Sequence, residues 1–374
     1  FTLKRPFAPF ARIVAHSMNG ISPPEEVLKW QEKYTFHPVG TGPYKIVEAN
    51  ENKVVLERFD DYWGPKPYID RVEYIFIRGA DARLIAIQKG DVDVTTVAYQ
   101  AKPILEKEAN LVWEKILLLD GLSRLFFNFR RWPMNDIRFR KAIWMGADWR
   151  NINIMAHPFK SGNHARTYLE YSTFFNQDAL KLVPPYDPKE AKKLIQAVEK
   201  DAGKKIPPMY WLDTDQSIRK AIAEMAKIQL AQIGVPLNLN NLPRGIRHDK
   251  LFQDKKIEWD IAQMGLGFGA EPYIGFSWHL TDSGAAPDGK SLGGYGSPEF
   301  DGRIHKAIGA TNADEMTKYY QQAEKVLLKD IVGIPLYPSY SVLVYRKNVK
   351  GTPKVNPLVN IIVTNDWTNM WLEK

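Results

Sequence analysis

Over the first hundred positions apolar and polar residues alternate in short runs, and this period of two predicts strands over 44–49, 53–58, 70–78 and 92–97. Turn chemistry separates them. His37-Pro38-Val39-Gly40-Thr41-Gly42-Pro43 forces a tight, irregular backbone just before the strand that starts at Tyr44. Before it, Pro23-Pro24-Glu25-Glu26 has the chemistry of a helix start, with acids in the first turn. Leu84, Ile85 and Ile87 mark a helix over 81–89 that Gly90 ends.

The pattern then changes. Arg124-Leu125-Phe126-Phe127-Asn128-Phe129 reads as a strand, and Asn135 or Asp136 caps the helix that follows. After a loop-rich stretch over 156–185, Asp187-Pro188 opens an amphipathic helix. Ile218, Ile222, Met225, Ile228 and Leu230 predict another over 217–233, followed by Gly234 and a strand at 235–239. A further strand is expected over 258–264, a long helix over 314–330, and a last strand series from Ile334. Strands and helices alternate without long-range repeats, so the class is mixed α/β.

Composition narrows the function. With 374 residues, 44% hydrophobic and 25% charged, the chain can bury a large core of two or three domains. No apolar run approaches the roughly 20 residues of a membrane-spanning helix. There is no cysteine, which removes disulfides, thiolate nucleophiles and cysteine metal sites. The net charge of +8 is spread along the chain without a dense basic run, so no nucleic-acid partner is expected.

Catalytic patterns are missing as well. The sequence has no HExxH, GxSxG, Walker loop or EF-hand spacing. Gly265-Leu266-Gly267-Phe268-Gly269 has the wrong spacing for a phosphate loop and is followed by Pro272, so it reads as a bent loop that allows close backbone approach. No two histidines stand at i, i+3 or i, i+4; His157 and His164 share a loop and read as surface residues. Asp91 and Asp93 share a strand face, where two carboxylates could act as acid/base partners. No enzyme, metal or cofactor is expected.

Several ordered motifs resemble the family 5 extracellular solute-binding proteins, the receptors that deliver peptides and other solutes to ABC importers. These are Gly40-Thr41-Gly42-Pro43-Tyr44, then Asp61-Tyr62-Trp63-Gly64, then Ile69-Asp70-Arg71-Val72, and Gly90-Asp91-Val92-Asp93-Val94. The run from Phe127-Asn128 through Pro133, Asp136 and Arg140 to Asp148 is similar to a second family signature, and Asp187-Pro188-Lys189-Glu190-Ala191-Lys192-Lys193-Leu194 to a third.

The resemblance implies a two-lobed periplasmic-binding-protein-like fold with mixed sheets and a ligand cleft between the lobes. Residues 1–116 completed by 341–374 would form one lobe, and 117–340 the other. The GTGPY turn normally lies far inside such proteins, and Phe1-Thr2-Leu3-Lys4-Arg5-Pro6-Phe7 has neither an initiator Met nor a signal core. A large N-terminal part of the first lobe, and with it any membrane anchor, is therefore expected outside this chain.

The implied function is capture of a solute by hinge closure for a membrane permease, by a periplasmic or extracellular monomer. Peptides are the default cargo. Oligosaccharides are the alternative within the family, and a solute sensor without transport is the alternative outside it. In peptide-binding members an aspartate near an acidic-Pro pair holds the free amine; Glu271-Pro272 matches the pair, but Phe268 stands in the aspartate's place. The expected ligand-facing residues are Tyr99, Asn128, Arg130, Gly267, Phe268, Glu271, Tyr273, Trp278, Tyr337 and Tyr340, with Arg131 beside them. Rings would stack on the ligand, and hydroxyl, amide and guanidinium groups would orient its polar atoms.

Overall fold

The computed structural model describes residues 1–14, 20–157, 163–266, 271–352 and 367–373; the side chains of 100, 116–121, 266, 339–341 and 367 are not described. Its principal strands are β1 (Tyr44–Ala49), β2 (Lys53–Arg58), β3 (Arg71–Ile75), β4 (Val94–Val97), β5 (Leu111–Phe127), β6 (Met209–Thr214), β7 (Leu237–Leu242), β8 (Ile261–Leu266) and β9 (Gly333–Arg346). The chain divides into two compact units, one of Phe1–Arg12 with Leu119–Ser339, the other of Ile13–Leu118 with Tyr340–Lys374. Mixed α/β architecture holds throughout. Among the described residues no helix is long and apolar enough to cross a membrane.

In the second unit β1, β2 and β3 form an antiparallel meander, with Tyr44 opposite Arg58 and Val54 opposite Tyr74. The turn chemistry before Tyr44 explains its start, and Tyr44 ties it across the meander by donating its hydroxyl to Ile69 O at 2.9 Å. The helix Ala80–Lys89 ends at Gly90, whose φ of 81° lies in the left-handed region that glycine adopts at little cost. It buries Leu84 and Ile87 in a small core with Val97, Leu105, Val342 and Val344. Here β4 pairs antiparallel with β9, Val97 facing Val342.

The first unit is built on four strands in the order β5-β8-β6-β7, with β9 on the free side of β5. β6 pairs parallel with both β7 and β8, and β5 pairs antiparallel with β8. Parallel strands need a crossover. The helix Ser217–Gln232 supplies it between β6 and β7, burying Ile222, Ala223, Ala226 and Leu230 at helical spacing. Trp211 and Ile261 join this face to Ala191, Ile195 and Val198 of the helix Pro188–Ala202, which Asp187 caps through Glu190 N at 3.0 Å.

The opposite face of the same strands buries Leu212, Ala262 and Met264 against Leu251, Ile257 and Trp259. A sheet covered on both faces loses the simple alternation of a half-exposed strand. Where β9 begins, a Cβ on Gly333 would collide with Leu125 O, so only glycine permits the close approach of the two backbones. The opening segment belongs to this unit as well: Ala8 N donates to Ile308 O at 2.6 Å, and Phe7 packs edge-on against Tyr273, with ring centroids 5.4 Å apart.

Candidate functional site

Several expected ligand contacts are engaged by the protein itself. Asn128 is fully buried; its Nδ2 donates to Trp259 O at 2.6 Å and its Oδ1 accepts from Arg130 N at 3.2 Å. Arg130 forms a two-pronged pair with Asp288, 2.8 Å on each prong, and also donates to the carbonyls of Ser291 and Leu292. These are the geometries of residues that hold a loop in place.

Glu271 caps the helix Pro272–Ser277 by accepting from Tyr273 N at 3.2 Å, and the same Oε1 accepts the Tyr320 hydroxyl at 2.5 Å. Its Oε2 lies 3.7 Å from Arg12. Burial pushes its carboxyl above the usual range, against the opposing pull of Tyr320 and Arg12. Trp278 packs edge-on against Phe252 at 5.4 Å. In the other unit Tyr99 packs on the small core and takes Lys115 over its ring at 5.2 Å. Gly267 and Phe268 lie outside the described residues, as does the side chain of Tyr340.

A further candidate, Tyr337, stands in a polar constellation at the carboxyl edge of the parallel strands. That edge is where open α/β sheets take ligands, because strand ends and the loops leaving them create a crevice there. Gln263 of β8 donates from Nε2 to Ser123 Oγ at 2.9 Å and to the Tyr337 hydroxyl at 3.3 Å. The main-chain oxygen of Gln263 accepts from two guanidiniums, Arg219 Nη1 at 3.0 Å and Arg247 Nη2. Arg219 Nη1 also lies 3.2 Å from Oδ1 of Asp213, the buried acid near the end of β6.

Two cations thus share one carboxylate. Burial pulls the Arg247 guanidinium down to about 10, and neighbouring Arg219 adds to this. Burial raises the Asp213 carboxyl, opposed by Arg219. Several polar atoms around this edge have no partner among the described residues: Arg247 Nε, Gln263 Oε1, Thr214 Oγ1 and Asn241 Oδ1. Buried polar atoms are normally satisfied, so a group of orphans beside excess positive charge suits an anionic ligand group with donors of its own.

Sequence reasoning did not find Arg219, Arg247, Asp213, Gln263 or Ser123. The one available signal was a polar ending, Asp213-Thr214-Asp215, on an otherwise apolar run.

Residues 1–288 match the model of the bacterial extracellular solute-binding proteins, family 5, middle part. The chain belongs to this family. Family 5 proteins bind solutes, and the chain is a binding protein rather than an enzyme.

Among similar proteins is the glutathione-binding protein GsiB of Salmonella paratyphi A, 23% identical over 370 residues, covering 94% of this chain and 68% of the relative. The periplasmic binding protein DppA of Helicobacter pylori, solved with the peptide STSA, is 25% identical with a TM-score of 0.79, over 100% of this chain and 72% of that one. NikZ of Campylobacter jejuni, solved with Ni(L-His), has a TM-score of 0.80 at 21% identity, over 98% of this chain and 75% of that one. The fold is therefore that of the two-lobed periplasmic binding proteins. The family's description as extracellular, and DppA's as periplasmic, place family 5 members outside the cytoplasmic membrane.

Proposed function

We propose that this family 5 protein captures short peptides bearing a free carboxylate for an ABC importer, handing them to a membrane permease. The observation that carries the reading is the pair Arg219 and Arg247, both bonded to Gln263 O and matched by the single carboxylate of Asp213. A planar guanidinium is suited to a carboxylate, and a charge-assisted hydrogen bond there is worth about 1.5–3 kcal/mol. Gln263, Ser123 and Tyr337 would orient the neighbouring amide groups of the peptide. Peptide-bound and glutathione-binding relatives support this class of cargo.

Sugar cargo draws less support, because Tyr273 and Trp278, the rings expected to stack on it, pack on Phe7 and Phe252. We read the receptor as an extracytoplasmic monomer, membrane-anchored or free, without a nucleic-acid partner.

Calorimetry on the full natural protein tests this with dipeptides and tripeptides, their C-terminal amides, and a set of oligosaccharides. Free peptides should bind, and the amides should lose roughly tenfold or more in affinity. Equal binding of acids and amides, or binding of sugars alone, would overturn it.

A further inference from the structure

We infer that the amino-terminal end of β6 and β8 carries a second ligand site, a pocket for a free α-amino acid with an apolar side chain. A cavity of about 420 Å³ opens there, within the size range of small-molecule sites. Tyr210 and Leu212 project into it from one face of β6, and Asn240 of β7 stands opposite Leu212. Trp259 and Glu258, just before β8, line it with them, as do Arg131, beyond the end of β5, and Lys250. Tyr210 and Leu212 point to one face of β6 and Asp213 to the other, so the cavity does not include the Asp213 carboxylate.

Arg131 is already fixed for a carboxylate. Its Nε donates to Asp260 Oδ1 at 2.7 Å, while Asp260 Oδ2 accepts from Tyr210 N at 2.8 Å. Asp260 is therefore engaged through both oxygens, and among the described residues Nη1 and Nη2 of Arg131 have no partner. A guanidinium held through Nε presents those two groups to a ligand at little further entropic cost.

The second charge is Glu258, exposed and without an ion pair among the described residues, while the nearby Lys250 is engaged by Asp254 at 2.9 Å. Glu258 would repel a simple anion and attract an ammonium. A zwitterion answers both groups. The exposed ring of Tyr210 offers the apolar surface for its side chain, with Leu212 and Trp259 buried at the cavity's base.

The turn before Trp259 is conformationally unusual. Ile257 has φ 48°, a left-handed conformation that a β-branched residue adopts at a cost of about 1–3 kcal/mol. The turn is held by Asn128, whose Nδ2 reaches Ile257 O at 3.4 Å and Trp259 O at 2.6 Å. Such strain persists where surrounding contacts impose it, and here it sets Glu258 and Trp259 at the cavity.

The inference does not rest on the reading of the carboxyl edge, and the test separates them. L-Leucine and L-phenylalanine would be titrated calorimetrically up to about 10 mM into the natural protein, Glu258→Gln, Arg131→Lys and Arg219→Gln. Saturable binding is expected in the natural protein and unchanged in Arg219→Gln, with roughly fivefold or greater loss in Glu258→Gln and Arg131→Lys. Leucinamide and N-acetyl-leucine should bind more weakly than leucine. Glu258 is exposed, so its variant reports on the site even if Arg131→Lys disturbs the fold. No saturable binding, equal binding of the blocked derivatives, or loss in Arg219→Gln but not in Glu258→Gln would overturn the inference.

Discussion

Tyr320 donates its hydroxyl to Glu271 Oε1 at 2.5 Å, inside the core of the first unit. The acid of the Glu271-Pro272 pair is thus bound by a tyrosine and by the first turn of its own helix, with Arg12 on its second oxygen. An ammonium ligand would have to displace these groups within a site closed to solvent.

Glu271→Gln should therefore leave peptide affinity within about twofold, since an amide still accepts at Oε1. N-acetylated and free-amine peptides should bind alike. Calorimetry on both peptide forms checks this; a free-amine requirement that vanishes in Glu271→Gln would contradict it.

Arg219→Gln should weaken peptide binding by about 1.5–3 kcal/mol, and most of that loss should be absent with C-terminal amides. A double-mutant-style comparison of two proteins and two ligands isolates the carboxylate contact. A similar loss with both ligands would point to a structural role for Arg219.

Glu324 makes stability depend on pH. Burial, its largest cause, raises its carboxyl from the ordinary 4.5 to about 7, although Leu169 N donates to it at 2.7 Å. The folded protein therefore holds a proton that the unfolded chain releases, and the contribution is present in full below 4.5 and lost as pH rises through about 7. The shift corresponds to about 3 kcal/mol. Denaturant unfolding should show stability falling between about pH 4.5 and pH 7, and Glu324→Gln should flatten that slope.

Arg130→Ala should lower stability by roughly 1–3 kcal/mol through loss of the Asp288 pair and the two carbonyl contacts, with solute affinity unchanged. Urea unfolding beside a peptide titration reads both. Loss of affinity at unchanged stability would return Arg130 to the ligand site.

Much of the fold was legible because the second unit is built from half-exposed strands. The expected strands at 44–49 and 53–58 coincide with β1 and β2, where alternation and turn residues agree. β6 was not anticipated. Met209-Tyr210-Trp211-Leu212-Asp213-Thr214 is buried at every position but Tyr210 and follows Pro207-Pro208, so it shows no clean alternation and reads as a continuation of a loop.

The strand expected over 258–264 is displaced to Ile261–Leu266, because Ile257, Glu258 and Trp259 belong to the strained turn. The carboxyl-edge constellation was less legible still. Arg219 lies in the first turn of a helix and Arg247 in a helix of its own, and only the sheet brings both to Gln263. Helical periodicity marks the apolar face and says nothing about which polar residue meets another across the fold.

That meeting point is a main-chain oxygen, and substitution at position 263 cannot remove it. The side chain there is buried and directed at Ser123 and Tyr337, and changing it leaves the carbonyl that anchors both arginines in place. Under the proposed function, such a receptor would be retuned in what it selects without being rebuilt in what attracts its cargo.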